Sequence, residues 1–362
     1  MSVAGMQDVK AEWESAIAAA GAALLRHAIV AVPCDSPGWV DTGVDVRAGE
    51  TVTLLSAGAV ELPRDPPMRL ANRIFLWRRI GGRGPIAKFT ASTTTFDVGQ
   101  AGRLELVTQF PGAWLDENGT LAPEWPREAA RGFLIVAILI WKVPVADGLA
   151  WFAAKDASGV GLEERDRLAV GIRPPRGWAP LWRVGATEIF CEQTGPAEAP
   201  SISCRCAGDA GILKYPVDFP LDSSTRLLWR WRVIKLPSKV AENDGASHDY
   251  LSIAVEFDNG LDLTYMWSAA LPVGTSFRCP LPWWDKHETH QVVRSGDFET
   301  GQWRAEKQPL LADYAKAIGG APPARIVGVW LIAVSAFQGR RGECEYSAIE
   351  LTDANASVAI EP

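Results

Sequence analysis

Residues 248–268 read HDYLSIAVEFDNGLDLTYMWS, and their alternation decides the class of fold. Leu251, Ile253, Val255 and Phe257 are spaced by residues that bond, ionise or stack. That is the two-residue period of a strand, not the 3.6-residue period of a helix. Asn259-Gly260 falls between two such runs and is a strong hairpin signal. A two-residue turn there pairs Asp258 with Leu261, Glu256 with Leu263, Ala254 with Tyr265, and Ser252 with Trp267. Opposed residues share a face. One face then carries Leu251, Ile253, Val255, Phe257 and Met266, a core surface; the other carries His248, Tyr250, Ser252, Glu256, Tyr265 and Trp267. Aromatic rings mixed with ionisable groups suit the lining of a cleft. A slip of one residue would exchange the faces of one strand.

The neighbouring runs extend this reading. In LLWRWRV, Trp229 and Trp231 share one face and Arg230 and Arg232 the other. The tryptophans are assigned to the core and the arginines to the cleft, where a guanidinium can grip a carboxylate or phosphate. A pair of surface arginines is the plainer alternative. In THQVVRS, His290 and Arg294 are placed on one face with Val292 between them. Trp283 and Trp284 lie in the loop CPLPWWDKHE, where a rim ring can stack on a sugar or aromatic ligand, or simply pack over the sandwich end.

These residues suggest general acid–base chemistry. His248, Glu256, Tyr265 and His290 form the candidate catalytic set: His248 or Glu256 moves a proton and Tyr265 assists. Arg230, Arg232, Tyr250, Trp267, Trp284 and Arg294 form the candidate substrate-binding set. A satisfied polar network is the structural alternative. His287, His290 and His248 are a conceivable ligand set, but positions three apart point to opposite faces of a strand, and only a turn there would converge them. No metal and no cofactor is therefore expected. Neither a G-x-S-x-G elbow nor a phosphate-cradling glycine loop is present, which points away from serine hydrolases and nucleotide enzymes.

Composition sets outer bounds. The chain has 362 residues, enough for two domains, and a net charge of −7 without a long basic run, which disfavours nucleic acid as a partner. Abundant glycine and proline with scarce helical periodicity favour an all-β chain. Cys34, Cys191, Cys204, Cys206, Cys279 and Cys344 show no CxxC pair and read as free core thiols of a reducing compartment. Asp8, Glu12 and Glu14 stand where a secretory signal needs positive charge, and the apolar run from Phe133 to Trp141 is short of a membrane span. A cytoplasmic protein with no membrane contact is the expectation, with homo-oligomerisation left open.

Along the chain, Met6, Val9, Trp13, Ile17 and Leu24 form one apolar stripe and predict a docking helix over residues 6–27, within an N-terminal segment 1–30. Residues 31–146 alternate as strands of a β-sandwich, with FLIVAILIW as its central buried strand. Residues 147–170 are mixed, polar and glycine-containing, and read as a linker. Residues 171–354 read as a second sandwich interrupted by one helix in KQPLLADYAKAIGG, with Pro309 near its start and Gly319 just past its end. The fold class is thus two jelly-roll-like β-sandwiches preceded by an amphipathic helix.

Two resemblances accompany this reading. Trp39, Asp41, Thr42, Gly43, Val44, Gly49 and Val52, with Arg79-Ile80-Gly81 and Gly84-Pro85, form a pattern similar to the galactophilic-lectin-like, galactose-binding jelly roll. That resemblance implies calcium and sugar on an acidic loop, whose nearest counterpart here is Asp116-Glu117-Asn118-Gly119; two carboxylates and one amide are few for calcium, and an ordinary turn is the alternative. Residues 215–351, with L-W-R-W-R-V, V-x-F-D, Y-x-W, V-x-R-S-G and I-x-G-V-W in order, resemble the bacterial family of unknown function DUF3047. That resemblance implies a β-sandwich and no activity. The leading functional reading is an enzyme of lyase, isomerase or hydrolase type acting on a small polar, aromatic or sugar-like substrate. The alternative is a non-catalytic, lectin-like carbohydrate-binding protein, and a third reading is a docking protein with an aromatic face.

Overall fold

The computed structural model describes residues 3–63, 68–193 and 200–360, and the chain divides into two compact units, 1–172 and 173–362. In the first unit the opening helix spans Val3–Ala19, shorter than the stripe suggested. Gly21–Ala23 forms a 3-10 turn and Leu24–Pro33 continues as a strand, so Leu24 belongs to a sheet and not to the helix. Trp13 and Ile17 anchor the helix in a core with Leu139, Trp141, Leu149 and Phe152. The side chain of Met6 lies outside the described residues.

Phe133–Trp141 is central in its sheet, between Leu24–Pro33 and Thr51–Leu62. Ile135, Ala137, Leu139 and Trp141 meet the helical layer, and Leu134, Val136, Ile138 and Ile140 are equally buried on the other face. A strand covered on both sides reads as continuous apolar sequence. A second sheet of Val40–Val46, Gly102–Thr108, Leu76–Ile80 and Ala87–Lys88 completes the sandwich.

The segment expected as a linker is not one. Val145–Ala153 and Val160–Val170 are helices of the first unit. Gly148 permits the close approach, since a Cβ there would stand 2.3 Å from the Trp141 ring. Part of the polarity that suggested a linker is buried and bonded, while Ser158, Glu163 and Asp166 face solvent. Glu164 is fully buried, accepts from Thr93 and Thr95, and pairs with Arg167 at 2.7 Å.

The second unit packs two sheets face to face. One runs Ala179–Pro180, Ala210–Pro220, Arg325–Val334, Leu251–Phe257, Asp262–Ser268, Glu288–Ser295, Ser276–Arg278; the other runs Phe190–Gln193, Ser201–Ala207, Arg341–Thr352, Arg226–Lys235, Arg304–Pro309, with Ser357–Ile360 on Arg341–Thr352. The strand Ala210–Pro220, unpredicted, lies second in the first sheet. The helix Leu310–Ala317 forms where Pro309 and Gly319 placed it. All six cysteines are free.

The hairpin register differs from the two-residue turn by one residue. Leu251 pairs with Trp267, Ile253 with Tyr265, Val255 with Leu263 and Glu256 with Asp262. Phe257 N–H donates to Leu261 O at 2.9 Å and Gly260 N–H to Phe257 O at 3.0 Å, closing a three-residue turn with Gly260 at φ +77°. Glycine adopts that left-handed geometry without a Cβ clash. The consequence is that Tyr265 and Trp267 join Leu251, Ile253 and Val255 in the core, against Trp229 and Trp231 of the opposite sheet. Tyr250, Ser252, Ala254, Glu256, Asp262, Thr264 and Met266 share the outer face.

Candidate functional site

Two groups of residues gather on that outer face, one open and one closed. The open one is a cleft of about 460 Å³ lined by Trp182, Arg183, Lys214, Glu256, Asp262, Trp283, Trp284, His287 and Trp330, among others. Its floor is the sheet. Lys214 on Ala210–Pro220 reaches Glu256 on Leu251–Phe257 at 2.5 Å, and Trp330 Nε1–H donates to the same carboxylate at 3.2 Å. Gly328 lies between them; a Cβ there would come within 2.9 Å of both Glu256 Oε2 and Lys214 Cε.

Its wall comes from the 269–287 crossover and the 181–184 turn. The two strands Asp262–Ser268 and Glu288–Ser295 are parallel, so the chain must cross the sheet between them. The crossover ends in the 3-10 turn Trp284–Lys286, preceded by Trp283 at φ +72°. The Trp283 ring stacks on His287, 4.1 Å between centroids, and stands edge-on to Trp284 at 5.0 Å. The Arg183 guanidinium rests over Trp182 at 4.3 Å and Trp283 at 4.5 Å. Rings and charge thus alternate around the opening, the mixture that recognises small polar ligands with an apolar face.

The closed group lies beneath the same crossover. His248, Cys279, Glu288 and His290 are all buried, and their ligand-bearing atoms lie within 4.8 Å of one another. Glu288 and His290 sit two apart on one strand and therefore share a face. His248 Nδ1 meets the Glu242 carbonyl at 2.6 Å, and its Nε2 faces Cys279 Sγ at 3.4 Å. Tyr250 and Thr264 hydroxyls donate to Glu288 at 3.1 and 3.0 Å. Burial, then the neighbouring His290, draws the His248 imidazole down to about 3, so it is neutral. Burial, followed by the Glu288 charge, pushes the Cys279 thiol up. Asp262, buried beside Glu288, is driven upward, first by burial and then by that carboxylate.

The predicted site residues distribute unevenly. His248, Tyr250 and His290 come together, with ring centroids 4.7 to 4.8 Å apart. Glu256 lies in the neighbouring cleft, as does Trp284. Tyr265 does not join them: the shifted register turns it into the core, where its hydroxyl donates to Asp313 at 3.0 Å. Trp267 is likewise a core ring, donating to Gly296 O at 2.9 Å. Arg230 and Arg232 stand on the outer face of the other sheet, because Trp229 and Trp231 fill the core. Arg232 pairs there with Glu345 at 2.5 Å, and both guanidiniums lie over Trp303. Arg294 leaves the His290 face through a register shift between Met266 and Trp267; it lies over the Trp267 ring and pairs with Glu299 and Glu306.

The lectin-like loop of the first unit is occupied by itself. The Asp116 carboxylate accepts from Asn118 N, Thr120 N and Thr120 Oγ1 at 2.6 to 3.2 Å, an ordinary Asx turn. Cys279, Glu288, Asp262, Lys214, Trp182 and Trp330 escaped the sequence reading. Glu288 and His290 at i and i+2 were the available signal, once the strand was extended back to Glu288.

Residues 193–350 match the family model described as a protein of unknown function, DUF3047. No curated protein matches the chain. Among solved structures, the chain is similar to the EclA N-terminal domain, a PllA-like lectin, at 16% identity and TM-score 0.23, covering 31% of this chain and 94% of that one. It is similar to the xyloglucanase domain of NopAA from Sinorhizobium fredii at 9% identity and TM-score 0.27, covering 45% and 92%. It is also similar to the family 11 carbohydrate-binding module of Lic26A-Cel5E from Clostridium thermocellum, at 10% identity and TM-score 0.25, covering 49% and 84%. None of these likenesses bears on what this chain binds.

Proposed function

We propose that the C-terminal unit binds a carbohydrate or similar small polar ligand in the cleft between the 181–184 turn and the 269–287 crossover. The observation that carries this is the composition of the lining: Trp182, Trp283, Trp284 and Trp330 with Arg183, Lys214, Glu256 and Asp262. A sugar ring offers C–H faces to indole and hydroxyls to carboxylate and ammonium groups, so both kinds of wall are used. At about 460 Å³ the cleft is within the ordinary range for a small-molecule site. Arg183 sits over two tryptophan rings, so a stacked ligand displaces or caps its guanidinium.

A second reading keeps catalysis. Asp262, its carboxyl pushed upward by burial and the Glu288 charge, and Glu256, ion-paired with Lys214, line one cleft. Two facing carboxyls in such different surroundings can divide the acid and base roles of glycan cleavage and related eliminations. His248, His290 and Tyr250 then support the floor and do not touch substrate.

The test is titration of the full chain with a panel of mono- and oligosaccharides, read by calorimetry and tryptophan fluorescence. Trp283→Ala should weaken binding at least tenfold, about 1.4 kcal/mol, with the fold intact. Binding unchanged in Trp283→Ala and Trp182→Ala would remove the cleft from consideration. Product formation abolished in Glu256→Gln while binding survives distinguishes the enzyme from the lectin-like protein.

A further inference from the structure

We propose that His248, Cys279, Glu288 and His290 form a closed site for one divalent metal ion of the zinc class, fastening the 269–287 crossover to the outer face of its sheet. The donor set is two imidazoles, a thiol and a carboxyl, the nitrogen, sulfur and oxygen ligands that zinc takes in tetrahedral sites. With metal–ligand bonds of 2.0 to 2.3 Å, tetrahedral edges come to roughly 3.3–3.7 Å. Two edges already have that length: Cys279 Sγ to His248 Nε2 and His290 Nε2 to Glu288 Oε1, each 3.4 Å. The remaining separations reach no more than 4.8 Å, within side-chain adjustment.

His290 supplies an independent observation. It is fully buried, and among the described residues neither ring nitrogen makes a hydrogen bond. Its 3.4 Å approach to Glu288 lacks hydrogen-bond geometry. Buried polar atoms are nearly always satisfied, and an orphaned one asks for an unseen partner. Phe277 stacks on the ring at 4.9 Å, while His248 and Tyr250 stand edge-on to it, so packing holds the imidazole where it is.

The surrounding bonds orient the ligands as metal sites require. His248 donates Nδ1–H to the Glu242 carbonyl, which leaves the Nε2 lone pair for the ion. Glu242 is itself held by Ser268 and the Ala269 amide at the start of the crossover. Tyr250 and Thr264 fix the Glu288 carboxylate. Charge also balances: a thiolate and a carboxylate with two neutral imidazoles cancel a dication, as a site with no water access demands. Burial of all four ligands makes the site structural, since a catalytic metal keeps an open position. Cys279 and Glu288 bracket Trp283, Trp284 and His287, so the ion would steady one wall of the cleft, though the site itself does not depend on any cleft ligand.

The deciding measurement is elemental analysis of the untagged full chain purified without chelator, with about one zinc per chain expected. Unfolding in chelator and refolding with Co2+ should then give a thiolate-to-cobalt charge-transfer band in the near ultraviolet. Cys279→Ser should lose that band and Cys191→Ser, at a thiol outside the cluster, should keep it. A wild-type chain that takes up neither zinc nor cobalt, or a band that persists in Cys279→Ser, overturns the proposal. Should Cys279→Ser fail to fold, the wild-type metal ratio and spectrum decide alone.

Discussion

Ile253 and Tyr265 stand opposite one another across the hairpin, and both face the core. This one pairing sets the character of the unit. It delivers Tyr265 to Trp229, 5.6 Å between centroids, and Trp267 to Trp231 at 5.4 Å, joining the two sheets by aromatic contact. It also leaves Asp262 and Thr264 on the outer face beside Glu288 and His290.

Tyr265 is accordingly a stability residue. Tyr265→Ala should lower unfolding free energy by about 3–5 kcal/mol, the range for removing a buried aromatic ring. Tyr265→Phe retains the ring and removes one of the two hydrogen bonds to Asp313, for a loss of about 0.5–1.5 kcal/mol. Denaturant titration checks both. Ligand affinity should be unchanged in Tyr265→Phe, and a binding defect there would return the hydroxyl to the cleft.

The sequence made the strands of this sheet legible and misplaced one face of the hairpin. Asn259-Gly260 favours a two-residue turn, and that local signal points to the neighbouring register. The competing evidence lay in the strand itself. One register turns Leu263, Tyr265 and Trp267 toward the core between the sheets, with Leu261 packed at its edge; the other would turn Asp262, Thr264 and Ser268 there around Met266. Asp262, Thr264 and Ser268 find hydrogen-bond partners on the outer face, and placing them in the apolar core without partners would cost more than the preference for a particular turn. Gly260 accommodates the longer loop, and Asn259 braces it through Leu261 N and the Tyr314 hydroxyl. The cleft was legible through Glu256, Trp283 and Trp284. Lys214 and Trp330 come from strands far apart in the chain, and nothing local marks their convergence. The bulge that turns Arg294 away from His290 has no sequence mark either.

Asp313 gives the fold a pH dependence with a defined sign. Burial raises its carboxyl, and the hydrogen bonds from Tyr265 and Gln291 oppose this only in part. The folded state therefore binds the proton more tightly than the unfolded chain. The contribution to stability is complete below the unfolded carboxylate range and is lost as pH rises through the folded value. Asp313→Asn removes this term, so the stability of the variant relative to wild type should climb from acid to neutral pH. Urea unfolding at several pH values measures it; a difference that stays flat or falls with pH contradicts the assignment.

Gly328 tests the cleft floor without touching a recognition group. Its Cα lies under the Lys214–Glu256 pair, and an added methyl would stand 2.9 Å from each, closer than packed atoms allow. The two neighbours are ends of flexible side chains, so they shift while the strand stays paired. The result should be an intact fold with a displaced carboxylate. Gly328→Ala is expected to weaken ligand binding about tenfold, or 1.4 kcal/mol, while changing unfolding free energy little. Binding and melting measured on one preparation separate the two effects. Undiminished affinity would mean that Glu256 and Lys214 form a surface ion pair and that recognition lies with the tryptophans alone.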